Sequence, residues 1–175
     1  LHYGTGVFEE ARCYDTTKGP AIFRWEEHLD RLYDSAKFYE MEIPFSREEL
    51  TEATLELIDR QNLVSCYIRP VAFYGYDRLG VNPDGVPVQV TIAAWPWGAY
   101  LGEDALENGV EVKVVSWRKY NSDMIPTNAK TTGTYVNSVL ASQAATNHGY
   151  DEGTLLNQEG HGAAGPGENL HHARN

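Results

Sequence analysis

The order of apolar and polar positions predicts most elements of the chain. Val7 to Tyr14 reads as a strand, Asp15 to Pro20 as a turn containing Gly and Pro, and Ala21 to Arg24 as a returning strand, so a hairpin opens the chain. Leu29, Leu32, Tyr33 and Ala36 recur at the spacing of one helix face, with His28, Arg31 and Ser35 on another. Ser46 and Glu49 have the spacing of a capping box, and Leu50, Ala53, Leu57 and Ile58 carry the apolar face of a second helix that ends near Gln61-Asn62. Two further strands are predicted over Ser65 to Tyr74 and Val86 to Ala94, joined by a loop rich in Gly, Asp, Asn and Pro.

A second block follows. Val110 to Trp117 alternates like a strand, Val136, Val139, Leu140 and Ala144 mark a helix stopped at His148-Gly149, and Thr154 to Leu156 is a short strand. Gly160 to Gly167 reads as a turn-rich loop. The acidic stretch 102–108 is the expected linker, which divides the chain into a first domain over 1–101 and the start of a second over 109–175. Hairpin, helices and further strands give an α+β class. The second block offers too few elements for a full core, so the chain is expected to be truncated, and the absence of an initiator Met extends that expectation to its start.

Composition narrows the partners. The chain has 175 residues, 14 Lys+Arg and 25 Asp+Glu, a net charge of −11 that repels phosphate backbones and argues against nucleic acid. No apolar run reaches the ~18 residues of a membrane helix, so no membrane partner is expected. Cys13 and Cys66 are far apart and form no CxxC, which predicts neither a disulfide scaffold nor a zinc ribbon and fits a reducing cytoplasm. His161, His171 and His172 lack companion ligands at metal spacing, and no metal is expected.

Candidate chemistry rests on few residues. Of five lysines, Lys130 alone sits among small residues, Asn128-Ala129 before it and Thr131-Thr132-Gly133 after it. It is either an exposed loop lysine or an amine with room for a bound carbonyl group, a Schiff-base nucleophile. Arg69 stands in the apolar run Tyr67-Ile68-Arg69-Pro70-Val71 and needs an anion, from a substrate carboxylate or from an Asp or Glu of the fold. Tyr3, Phe8, Tyr67, Trp95, Trp97 and Tyr100 fall at strand ends and turns, where they either line one apolar pocket or fill a core.

Taken together, His2 to Glu9, Glu27 to Leu32, Tyr67 to Pro70, Gly80 to Pro83, Ala93 to Gly102, Pro126 to Ser138 and Gly165 to Leu170 resemble, in order, the motifs of the branched-chain amino-acid aminotransferases of the fold type IV, class IV pyridoxal-phosphate enzymes. The resemblance runs over nearly the whole chain. It implies a two-domain fold with the small domain nearly complete and the large one only begun. It also implies pyridoxal 5'-phosphate as cofactor and transamination of leucine, isoleucine or valine with 2-oxoglutarate. In this likeness Lys130 holds the cofactor covalently and shuttles the proton at the substrate Cα, Arg31 binds the cofactor phosphate and Tyr135 its phenolic oxygen. Tyr67 lies near the substrate α-carboxylate, Arg69 with Tyr3 and Tyr100 accepts the side-chain carboxylate of glutamate, and Phe8 and Trp97 line the pocket for the branched chain. Both subunits build each site in the family, which implies a homodimer or a multiple of it.

Two departures stand out. Ala164 falls where the family has a glutamate that pairs with the protonated pyridine nitrogen, while Glu168 matches a different glutamate. The chain also ends at Asn175, before the later segments of the family. D-amino-acid aminotransferase and aminodeoxychorismate lyase share the implied fold and cofactor and are the alternative enzymes. An inactive fragment that only associates with partners is the alternative from another class.

Overall fold

In a computed structural model that describes residues 2–98, 101–102 and 104–173, the chain runs through β1 (Gly6–Phe8), β2 (Ala11–Tyr14), β3 (Ala21–Ile22), α1 (Trp25–Lys37), α2 (Arg47–Arg60), β4 (Cys66–Tyr74) and β5 (Val88–Trp95). It continues through α3 (Asp104–Asn108), β6 (Val112–Arg118), α4 (Tyr135–Thr146), β7 (Glu152–Leu156) and β8 (Gly162–Ala164). Contacts divide the chain into two units: Leu1–Trp97 with Asn128–Gly133, and Gly98–Thr127 with Thr134–Asn175. The segment that carries Lys130 therefore belongs with the first unit, although it lies inside the range 109–175 expected for the second. The expected linker is itself partly helical, as α3.

Pro70 decides how the first sheet is built. Strand β4 is central and antiparallel to β5 on one edge and to β1 and β2 in succession on the other. The pairs Phe8–Val71 and Ala11–Ile68 keep one register across the gap. The Pro70 carbonyl accepts from Glu9 N–H at 3.0 Å, but proline has no N–H to return. The ladder lapses there, so the single strand expected over Val7 to Tyr14 is two strands parted by Glu9-Glu10. The hairpin of β2 with β3 forms as expected, but β3 stops at Ile22 because Arg24 turns left-handed (φ 51°) to start α1.

The period of two along β4 sorts its side chains. Cys66, Ile68, Pro70 and Ala72 are buried on one face, while Tyr67, Arg69 and Val71 stand half-buried on the other. The buried face, with Val7, Ala11 and Cys13, packs on Leu29, Leu32 and Ala36 of α1 and on Leu50 and Ile58 of α2. Ser46 caps α2 through the full capping box with Glu49, worth about 1 kcal/mol. Thr54, rather than the exposed Ala53, occupies the buried face of α2, its hydroxyl satisfied by the Leu50 carbonyl at 2.7 Å.

In the second unit β6 and β7 are parallel and joined through α4, and β8 is antiparallel to β7. Its core is Val115, Ala141, Ala145 and Leu155. The buried face of α4 carries Ser138, Ala141 and Ala145, whereas Val136 and Val139, expected inside, are exposed. Small residues are required because the helix comes close to the strand: a Cβ on Gly153 would stand 3.0 Å from the Ala141 carbonyl oxygen. The expected Gly160 to Gly167 loop contains β8. No helix among the described residues is long and apolar enough to cross a membrane.

Candidate active site

Lys130 is held on the outer edge of β1. Phe8 N–H donates to the Lys130 carbonyl (3.1 Å), Thr132 N–H donates to Gly6 O (2.9 Å), and Lys130 N–H donates to the hydroxyl of Ser35 on α1 (2.9 Å). Next to it the backbones of Gly4 and Gly133 nearly touch. Gly4 has φ +63°, and a Cβ there would lie 2.8 Å from Gly133 Cα. Ala129 and Thr131 are buried on either side. Only 15% of the Lys130 side chain is exposed, so the surface-loop alternative falls and the amine sits in a prepared place.

The two carboxylates at the β1–β2 break point opposite ways, as the period of two requires. Glu9 turns to α1 and is 1% exposed. It accepts from Arg31 Nε (2.5 Å), Arg31 Nη2 (2.8 Å) and His28 Nδ1 (2.8 Å). Burial pushes its carboxyl up, but the hydrogen bonds from Arg31 and His28 outweigh that and leave it below the ordinary value. Arg31, half-exposed, is thereby fixed as a fork. With Phe23, Arg24, Glu27 and His28 it lines a recess of about 400 Å³. Residues 28, 31 and 35, expected on a polar face of α1, thus form the face that serves Glu9 and the Lys130 backbone.

Glu10 turns to the opposite face, where its carboxylate joins Lys130 Nζ (2.9 Å) to Arg69 Nη2 (2.7 Å). Arg69 Nη2 also donates to the Tyr67 hydroxyl at 2.6 Å. The Phe8 ring lies 4.8 Å from both the Lys130 and the Arg69 cations, within cation–π range. Tyr67 packs on Trp95 and Trp97, ring centres 4.9 and 4.6 Å away, and the Trp97 carbonyl accepts from Arg12 Nη2 at 2.9 Å. Burial raises the Glu10 carboxyl, yet Lys130, the Tyr67 hydroxyl and Arg69 together bring it below its ordinary value, so it is ionised at neutral pH. Burial, with Glu10 beside it, keeps the Tyr67 phenol protonated far above its usual range.

Of the residues picked out in the sequence, Lys130, Phe8, Tyr67, Arg69 and Trp97 meet on this one face, and Arg31 stands behind it through Glu9. The anion of Arg69 is a glutamate of the fold. Tyr3 does not join them. It is half-exposed and lines a separate cavity of about 470 Å³ with Tyr74 and the loop 75–86. Tyr135 begins α4 in the second unit, and Tyr100 lies outside the described residues. Ala164 ends β8 opposite Leu155, and the Glu168 carboxylate turns back onto the Gly167 N–H at 3.1 Å. Sequence reasoning missed Glu9, Glu10 and the packing role of Ser35. The signal was present: two adjacent carboxylates in an apolar strand pose the question that Arg69 posed.

The first unit thus offers one half-buried primary amine, a forked guanidinium on an open recess and a second cation among aromatic rings. Residues 6–175 match the family Amino-transferase class IV. The chain belongs to that family. It is 49% identical over 170 residues to the branched-chain-amino-acid aminotransferase of Pseudomonas aeruginosa and 50% over 171 residues to that of Escherichia coli, in each case 97% of this chain and 55% of the relative. Among solved structures, the Escherichia coli branched-chain aminotransferase superposes with a TM-score of 0.92 at 49% identity, and the T.th. branched-chain aminotransferase with pyridoxamine 5'-phosphate at 0.90 and 52%. Each covers 95% of this chain and 55% of its own. The class IV chain therefore has the fold type IV architecture and spans about half the length of the relatives it matches.

Proposed function

We propose that the chain is part of a pyridoxal-phosphate-dependent branched-chain aminotransferase, with Lys130 as its catalytic residue. The observation that carries the proposal is the placement of the Lys130 amine, sheltered on the edge of β1 against the Phe8 ring and linked through Glu10 to Arg69, which in turn bonds the Tyr67 hydroxyl. The donor set fits the cofactor. A sheltered primary amine can hold an aldehyde, and the half-exposed Arg31 guanidinium, which lines an open recess, can hold a phosphate through N–H groups not given to Glu9. Tyr135, at the start of α4, is assigned to the cofactor's phenolic oxygen. When bound, pyridoxal phosphate supplies an aldehyde for the amino group and a ring that takes up the electrons released at the substrate Cα.

The chain's own residues do the rest. Lys130 carries the proton between the substrate Cα and the cofactor. Glu10, at 2.9 Å from Nζ, is the carboxylate that positions the amine beside Phe8. Glu9 keeps the Arg31 fork in one orientation, so little side-chain freedom is lost when it takes a phosphate. Phe8, Tyr67 and Trp97 give an apolar wall suited to leucine, isoleucine or valine and exclude water from it. Tyr67 is assigned to the neighbourhood of the substrate α-carboxylate, and Arg69 with Tyr3 and Tyr100 to a distal carboxylate. The substrates are amino acids and 2-oxo acids. A homodimer or a multiple of it, in the cytoplasm, completes the proposal, as does a division into a small domain and the first part of a cofactor-binding domain.

Product analysis of the full chain carrying this sequence tests the proposal. With L-leucine and an acceptor 2-oxo acid, 4-methyl-2-oxopentanoate is expected in step with the new amino acid. Reaction of D-alanine or aminodeoxychorismate in place of L-leucine contradicts it.

A further inference from the structure

His28 and Arg31 stand one turn apart on α1 and reach the same oxygen of one buried carboxylate. Glu9 Oε2 accepts from His28 Nδ1 at 2.8 Å and from Arg31 Nη2 at 2.8 Å, with the Glu10 N–H at 3.2 Å, while Oε1 accepts from Arg31 Nε. An ionised carboxylate only accepts hydrogen bonds, so Nδ1 is a nitrogen of the ring that carries a proton. The His28 side chain is 22% exposed and lines the recess of about 400 Å³ that Arg31 also lines. Arg31 is 51% exposed. We propose that His28 is a positioning residue: it pins Glu9 from a second direction and so holds the Arg31 guanidinium ready for the phosphate of the cofactor.

The physical reason is rigidity. Glu9 lies in the gap between β1 and β2, where its N–H donates to the Pro70 carbonyl. Bonded to Arg31 without His28, the carboxylate and guanidinium would swing as one unit, because a half-exposed guanidinium exchanges protein contacts for water at little cost. The His28 ring has fewer torsions than an arginine side chain and is largely covered, so it removes that freedom. Two anchor points on one helix fix the carboxylate, and the carboxylate fixes the guanidinium. Freedom that Arg31 would lose on taking a phosphate is lost already on folding. The role is confined to the phosphate, since the aldehyde of the cofactor meets Lys130, whose backbone is held by β1 and by Ser35.

The inference rests on the proposed function, and binding rather than turnover tests it. The full chain, freed of cofactor, is titrated with pyridoxal phosphate and with pyridoxal, which has the same ring and aldehyde but no phosphate, by the absorbance of the bound aldehyde. His28→Ala is expected to weaken pyridoxal phosphate about three- to tenfold, the scale of one side chain set free, and to move pyridoxal less than about twofold. His28→Asn, whose amide N–H replaces the Nδ1 donor, is expected to restore the parental affinity to within about twofold. His28→Leu, which fills the volume of the ring without a donor, gives the same comparison if His28→Ala does not fold. An unchanged affinity for pyridoxal phosphate in the donor-free variants, an equal loss for both ligands, or a His28→Asn chain as weak as the donor-free variants overturns the proposal while the function stands. A parent chain that takes up no pyridoxal phosphate overturns both.

Discussion

Removing the charge of Glu9 tests how the sheet and α1 hold Arg31. In Glu9→Gln one acceptor oxygen remains, but the charge and the second acceptor are lost, so one or two of the three bonds from Arg31 and His28 are broken and the rest become charge–neutral. Hydrogen bonds to charged groups are each worth about 1.5–3 kcal/mol. Arg31 is 51% exposed and recovers much of its loss from water, so the sum reduces to about 2–3 kcal/mol. Urea unfolding at pH 7 measures it, with Trp117→Phe as background so that Trp25, Trp95 and Trp97 report the first unit alone. The effect has a sign in pH. The Glu9 carboxyl titrates below the ordinary 4.5, so its stabilisation is complete above that value and fades as pH falls through the folded one. Glutamine does not titrate, so the gap between parent and variant closes in acid. A loss under about 0.5 kcal/mol at pH 7, or a gap that stays constant down to pH 3, refutes the reasoning.

Two further outcomes follow from the geometry and the sequence. Gly4→Ala places a Cβ at 2.8 Å from Gly133 Cα in a backbone of φ +63°, and is expected to lower stability by about 2 kcal/mol or more, read as a thermal midpoint several degrees lower. Ala164→Glu in the full chain is expected to raise turnover of L-leucine by about 10²–10³ with little change in cofactor loading, since a preorganised charged partner is worth that much; equal turnover would show that position 164 is not the missing electron-sink partner.

What could be read from the sequence was local. The capping box of Ser46 and Glu49 closes within four residues and appears as predicted, and the spacing of Leu29, Leu32 and Ala36 gives the buried face of α1 directly. What escaped depends on partners distant in the chain. The strand over Val7 to Tyr14 breaks because Pro70, sixty residues on, has no N–H to offer Glu9. Arg69 was recognisable as a buried cation in want of an anion, but naming Glu10 required the register of β1 and β2 on β4. The inward face of α4 carries Ser138, Ala141 and Ala145 rather than its valines because Gly153 lets the strand come close, a fact of packing rather than of periodicity. Lys130 stood out by its small neighbours, yet only the pairing of residues 130–132 with β1 assigns it to the first unit.

The covalent attachment point of the cofactor is the most direct measurement. The full chain is loaded with pyridoxal phosphate, reduced with borohydride and digested, and the labelled peptide is sequenced. Label on Lys130 and none on Lys18, Lys37, Lys113 or Lys119 is the expected result, with no trapped cofactor in Lys130→Ala. Label on any of the other four, or cofactor still trapped after Lys130→Ala, contradicts the assignment of this site.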